Sequence, residues 1–183
     1  MPIVSDASPL IWLSKIGKIE LLRTLFGEVI IPNEVYKEAV ERGLQEGFSD
    51  ALIIKECIDQ GWIKISMLDP KATELCQKIM ENSSELHLGE AQAIIIARKN
   101  NSLLLMDESS GRAFAQAWGL KVKGVLFVII KALKEDLLDV TEAKETMLEM
   151  VRKGFRIDPK LLARILSEIE SFTFGKKITA NKP

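Results

Sequence analysis

The sequence predicts an α/β fold in which helices cover both faces of a parallel sheet. Two observations carry this. Short strand-like runs alternate along the chain with segments of helical period, the pattern of strands joined by crossover helices. In addition, 47% of the 183 residues are apolar, enough for a buried core within one domain.

Taken in order, Ile3 and Val4 read as a short buried strand. Helical spacing begins at Pro9, which suits a first helical position because its missing N–H is not needed there, and Ser8 is a good cap before it. This helix extends over residues 9–25, with Gly17 as a soft spot. Residues 27–32 form a strand stopped by Pro32, and residues 33–43 a helix ended by Gly43. A polar stretch over 45–50 leads into a helix at 51–60, and residues 62–66 alternate as a strand does. Asp69 and Pro70 open a helix that runs to Asn82, and a second covers 88–100. Residues 102–107 are a buried strand, 109–118 a helix ended by Gly119, and 121–123 a short strand. Helices follow at 125–134, 141–153 and 159–171, the last capped by Asp158, before a flexible tail at 175–183. No internal repeat is present.

Composition removes several function classes. With 25 basic and 26 acidic residues and a pI near 6.0, the chain has no global basic field. A polyanionic partner would therefore need a local patch or a metal ion. No apolar run approaches the ~18–20 residues that span a bilayer, and no signal peptide precedes the first strand, so a cytoplasmic protein without membrane association is expected. Cys57 and Cys76 make no metal-binding pattern and read as buried thiols in a reducing compartment. The single histidine, His87, removes histidine-pair zinc sites and obliges any Ser-His-Asp or Cys-His arrangement to run through it. His87 lies just before an apolar helix, where a terminus position accounts for it. Carboxylates and hard, oxygen-binding cations are then the expected means of catalysis.

Certain acids stand where the fold has little use for them. Ligands of parallel sheets sit outside the carboxyl ends of the strands. Asp6 and Asp107 both end strands, on the same edge. Each has serines nearby that can cap the following helix instead: Ser8 in the first case, Ser109 and Ser110 in the second. Glu90 lies within about a sixth of a turn of Ala93, Ile94 and Ala97 on a helical wheel, opposite Gln92 and Lys99. The plainer reading of Glu90 is a first-turn charge that complements the helix dipole by ~0.3–1 kcal/mol. Glu38 flanks the stripe of Val35, Tyr36, Ala39 and Val40 and reads equally as a solvated helix residue. Glu108 and Arg112, four apart, suit a surface pair, or Arg112 suits a phosphate or a carboxylate to be oriented.

The segments "VSDASPLIWLSKIGKIELL", "VIIPNEVYKEAV" and "LGEAQAIIIARKNNSLLLMDESSGRAFAQAWGLKVKG" together resemble a PIN domain. The likeness is greatest to the prokaryotic group related to VapC-type toxins, with its strand–Asp–x–Ser/Thr opening and its Gly-Glu-Ala and Asp-Glu segments. It covers residues 1–135, and the helices at 136–174 resemble the helical extension of that group. The resemblance implies a three-layer α/β/α sandwich around a five-stranded parallel sheet, commonly dimeric. It places the family's acidic, metal-binding cluster on Asp6, Glu38, Glu90 and Asp107, with Ser8 as a supporting hydroxyl and Glu108 and Arg112 beside it. The implied activity is Mg2+- or Mn2+-dependent endonucleolytic cleavage of single-stranded or structured RNA, as the toxin partner of a small antitoxin protein.

Two positions depart from that pattern. Leu105 stands where many relatives have threonine, and Ser110 and Gly111 stand where several carry a further acid, which leaves one metal ion or two open. Arg98, Lys99, Arg112, Lys121 and Lys123 are the basic residues expected to supply local attraction for RNA. The alternative is a catalytically weak module of the same fold that acts through protein contacts of its C-terminal helices. A generic Mg2+-binding phosphatase or receiver-like domain is weakened by the lack of an Asp-x-Asp nucleophile motif.

Overall fold

Five strands build one parallel sheet in the order β3-β2-β1-β4-β5: β1 (Ile3–Ser5), β2 (Val29–Pro32), β3 (Ile63–Ser66), β4 (Leu104–Leu105) and β5 (Val122–Lys123). The structure, a computed structural model, describes residues 2–180, with side chains through Phe172. The expected tail at 175–183 lies outside the residues whose side chains are described, and 181–183 lie outside altogether. The chain divides into two compact units, Met1–Val125 and Leu126–Pro183.

The first unit holds the whole sheet. Its helices are α1 (Ala7–Lys15), α2 (Glu20–Phe26), α3 over residues 33–45, α4 (Ser49–Asp59), α5 (Pro70–Asn82), α6 (Leu88–Asn100) and α7 (Ser109–Ala117). Side chains of successive strand residues point to opposite faces. Accordingly Val4, Ile30, Leu104 and Val122 share a core with Ile79 of α5, Ala93, Ile94 and Ala97 of α6, and Ala115 of α7. Ile3, Val29 and Ile31 face the other way and are buried, as are Leu10 and Leu13 of α1 and Ile54 of α4. Both faces of the sheet are therefore covered, as the alternating pattern requires. The second unit contains the rest of α8 (Val125–Lys134) together with α9 (Val140–Arg152) and α10 (Pro159–Ala180). Asp139 caps α9 by accepting from the Glu142 amide at 2.8 Å, and Lys144 pairs with Glu170 across α9 and α10. No helix among the described residues is long and apolar enough to cross a membrane.

Two helices differ from what the sequence predicts. The expected helix at 9–25 is two helices, because Gly17 takes a left-handed φ of +63° that ends α1. That first helix also starts earlier, at Ala7, with Asp6 in the N-cap position; Ser8 lies inside the first turn and is not the cap. Gly43 does not end its helix. The chain passes through it as Asn33–Tyr36, a π segment Lys37–Arg42, and a final α turn Gly43–Gln45. Gly47, at φ +77°, follows the turn. Glycine is needed at 43 for space: a Cβ there would stand 2.6 Å from the Ala51 Cβ of α4.

Gly43→Ala should accordingly lower the urea midpoint. Overpacking costs about 1–3 kcal/mol, against roughly 1 kcal/mol gained in helix propensity. The double variant Gly43→Ala/Ala51→Gly should recover part of the loss, and a more stable single variant would contradict the close approach.

Candidate active site

The strand order reverses at β1. From β1 the chain moves outward through β2 to β3, then returns to the other side for β4 and β5. The helices leaving β1 and β4 therefore diverge, and a crevice opens at the carboxyl ends of these two neighbours. The residues that follow each strand are pinned there by the sheet backbone. The Asp6 amide donates to the Leu105 carbonyl at 2.9 Å, and the Met106 amide donates to the Lys123 carbonyl at 2.8 Å.

A cavity of about 250 Å³ occupies the crevice, lined by Asp6, Ser8, Glu38, Glu90 and Glu108, with Ile11, Trp12, Lys15 and His87. Asp6 is buried, and although it sits at the N-cap its carboxylate makes no cap hydrogen bond. Glu90 is buried in the first turn of α6 and accepts from the His87 amide at 2.8 Å. Glu38 reaches the cavity from the π segment and is exposed. Asp107 stands beside it, held on both oxygens: Ser8 Oγ donates to Oδ2 at 3.2 Å, and the Val125 amide donates to Oδ1 at 2.9 Å. Arg112 Nη1 donates to the Met106 carbonyl at 2.8 Å, with its guanidinium next to Asp107.

Two glycines mark how closely the acids approach the helices. A Cβ on Gly89 would lie 3.6 Å from Glu38 Oε2 and 3.8 Å from Asp6 Oδ1, so these two acids flank one point of α6. A Cβ on Gly111 would lie 3.0 Å from Glu90 Oε1 and 2.6 Å from Met106 Sδ. A side chain at that position would push α7 away from Glu90.

The carboxylates feel one another. Burial pushes the Asp6 carboxyl up to about 7; the Ala7 amide opposes this, and the charges of Glu38, Glu90 and Asp107 raise it further. Burial also raises Glu90, against the His87 amide and with help from Glu108 and Glu38. Asp107 is raised by burial as well, and the Val125 amide, Ser8 and Arg112 pull it back.

All seven residues singled out in the sequence meet in this region, with some roles changed. Ser8 donates to Asp107 and leaves the helix cap to Asp6. Arg112 turns to a backbone carbonyl and Asp107, where a surface pair with Glu108 was one expectation. Of the expected basic residues, Arg98 stacks over the Trp118 ring at 4.6 Å and Lys99 pairs with Asp69 at 2.7 Å; neither lines the cavity. The cation that does line it, Lys15, escaped the sequence reading along with Ile11 and Trp12. Their signal was spacing: Ser8, Ile11, Trp12 and Lys15 stand at i, i+3, i+4 and i+7, on one face of α1.

Among the described residues, no group of three His, Cys, Asp or Glu side chains stands in metal-ligating geometry. The donor chemistry nonetheless fits a hard divalent cation: carboxylates and a hydroxyl around one cavity, with room left for water. Like charges ~4 Å apart repel by about 4 kcal/mol at an effective dielectric of 20, a repulsion that a cation among these acids would offset.

A parallel α/β domain with carboxylates gathered at the switch point of its sheet is the class that fold and cavity define. The chain belongs to the PIN domain family, whose model matches residues 2–171. Domains of this family are generally nucleases. A search of curated proteins finds no match. Among solved structures, a PilT N-terminus domain protein from the hyperthermophilic archaeon Sulfolobus solfataricus P2 is similar at 17% identity and a TM-score of 0.49, over 73% of this chain and 94% of that one.

A carboxyl that keeps its proton to about pH 7 when folded but loses it near 4 when unfolded binds more protons in the folded state between those values. Asp6 therefore costs stability progressively as pH rises across that window, on the order of a few kcal/mol once fully ionised. Without divalent cations, Asp6→Asn should raise the melting temperature at pH 8 and flatten the fall in stability between pH 4 and 7. A variant with the wild-type pH profile would refute the buried charge.

Proposed function

We propose that this protein is a Mg2+- or Mn2+-dependent endoribonuclease of the VapC-like group, the toxin of a toxin–antitoxin pair acting in the cytoplasm as a homodimer. One observation carries the reading. Four acids from four separate elements, Asp6, Glu38, Glu90 and Asp107, gather at one cavity edge, and the buried Asp6 holds its proton to about pH 7.

In this reading Asp6, Glu90 and Asp107 hold the cation, with Glu38 completing the set. When bound, that ion supplies a lowered pKa to the attacking water and offsets charge on the phosphorus as it passes through the transition state. Ser8 and the Val125 amide fix the Asp107 carboxylate before substrate arrives, so no reorientation is required during the reaction. Arg112 steadies the same carboxylate from the side of α7. Asp6 must give up its proton on loading. Glu38 is the exposed acid of these four, and its carboxylate would take the proton released by the attacking water.

A catalytically idle module is the second reading, and the spread of the acids favours it. Leu105 is fully buried in β4, so nothing at that position replaces the threonine of relatives.

Melting in Mn2+ separates the two. At about 100 times its dissociation constant the ion should add roughly 2.7 kcal/mol of stability, and Asp107→Asn should lose that response. Labelled single-stranded RNA should be cut by the wild type in Mn2+ and left intact by Asp107→Asn or in EDTA. Melting indifferent to Mn2+ and Mg2+, with intact RNA, would establish the idle module.

A further inference from the structure

The cavity has a second chemical character at its mouth. Its floor is carboxylate, which repels a phosphate strand, yet the exposed face of α1 brings Ile11, Trp12 and Lys15 to the same wall. Lys15 Nζ stands 5.2 Å from the centroid of the Trp12 ring and 5.9 Å from that of Phe48. The ammonium is thus near both rings, of which Trp12 lines the cavity and Phe48 lies beyond its lining. Phe48 precedes α4 and is 50% exposed, and Trp12 is half-buried. Neither ring is fully enclosed in the core. A cation–π contact at an exposed site is weaker than the stacking of a nucleobase on an aromatic ring, so a base can replace the ammonium on either ring.

We propose that Trp12, Phe48 and Lys15 form a seat for one unpaired nucleotide of the RNA strand, beside the bond that is cut. The rings take the base, and the Lys15 ammonium beside them takes a phosphate of the same strand. This rests on the ribonuclease reading and deepens it by naming the side chains that take an unpaired base. In a duplex, both faces of each base are covered by its neighbours and cannot reach a ring. Lys15 also supplies the attraction that an acidic cavity lacks when the protein carries no basic field.

The test is fluorescence anisotropy of a short labelled oligoribonucleotide, single-stranded or annealed, in EDTA so that no cleavage occurs. Wild type should bind the single strand more tightly than the duplex. Trp12→Ala should weaken the single strand about tenfold, with duplex binding unchanged and Trp12→Phe restoring most of the loss. Lys15→Gln should reduce the salt slope by about one. All variants should keep the melting shift in Mn2+, which reports that they fold and load the cavity normally. Equal affinity for both forms in the wild type, or a Trp12→Ala protein that binds like it, would overturn the seat. A wild type that binds as expected but cuts nothing in Mn2+ would refute the nuclease reading and leave the seat standing.

Discussion

A carboxylate buried beside other carboxylates is the constraint on which this structure turns. Asp6 is nearly out of solvent at the end of the central strand, with three further acids close enough to raise its pKa. Desolvation and like charge both disfavour its ionised form. A sequence selected only for stability would place an apolar or neutral residue there. The chain keeps the acid, without a cap hydrogen bond for its side chain, and surrounds it with more of the same charge.

The surrounding fold serves this crowding. Reversal of strand order at β1 opens the crevice, and the ladder bonds of Asp6 and Met106 set the strand ends on either side of it. A glycine then lets the walls approach: a Cβ on Gly111 would crowd Glu90 and Met106. Asp107 is tied by a hydroxyl and a backbone amide, whereas Glu38 hangs from a π segment and remains exposed. π segments are rare and often occur at functional sites. The site thus combines a fixed acid, a buried acid and an accessible one.

Much of this was legible in the residues, for identifiable reasons. Asp6 and Asp107 were visible because each stood next to a strand end with a spare serine nearby. Glu90 stood out because charge interrupted an apolar stripe; it lies on the buried face and accepts from the His87 amide at the helix N-terminus. What local pattern could not give was long-range pairing. Ser8 looked like a cap, and only the folded chain shows its hydroxyl on Asp107, 99 residues away. Gly43 looked like a helix stop because glycine commonly is one; its contact with Ala51 belongs to tertiary packing. Lys15 carries no local signal because a lysine on an amphipathic helix is ordinarily solvated, and its aromatic neighbour Phe48 lies beyond three intervening elements.

The proposed function would relieve this constraint. A divalent cation would make the gathered charge tolerable and would find Asp107 already fixed, and an RNA strand would meet it from the aromatic rim. The most direct measurement is the titration of the Asp6 carboxyl carbon by NMR, first free of metal and then in saturating Mg2+. The account requires a midpoint near 7 in the metal-free protein and a marked drop when Mg2+ is present. A midpoint near 4 that ignores Mg2+, the behaviour of an ordinary solvated aspartate, would contradict it.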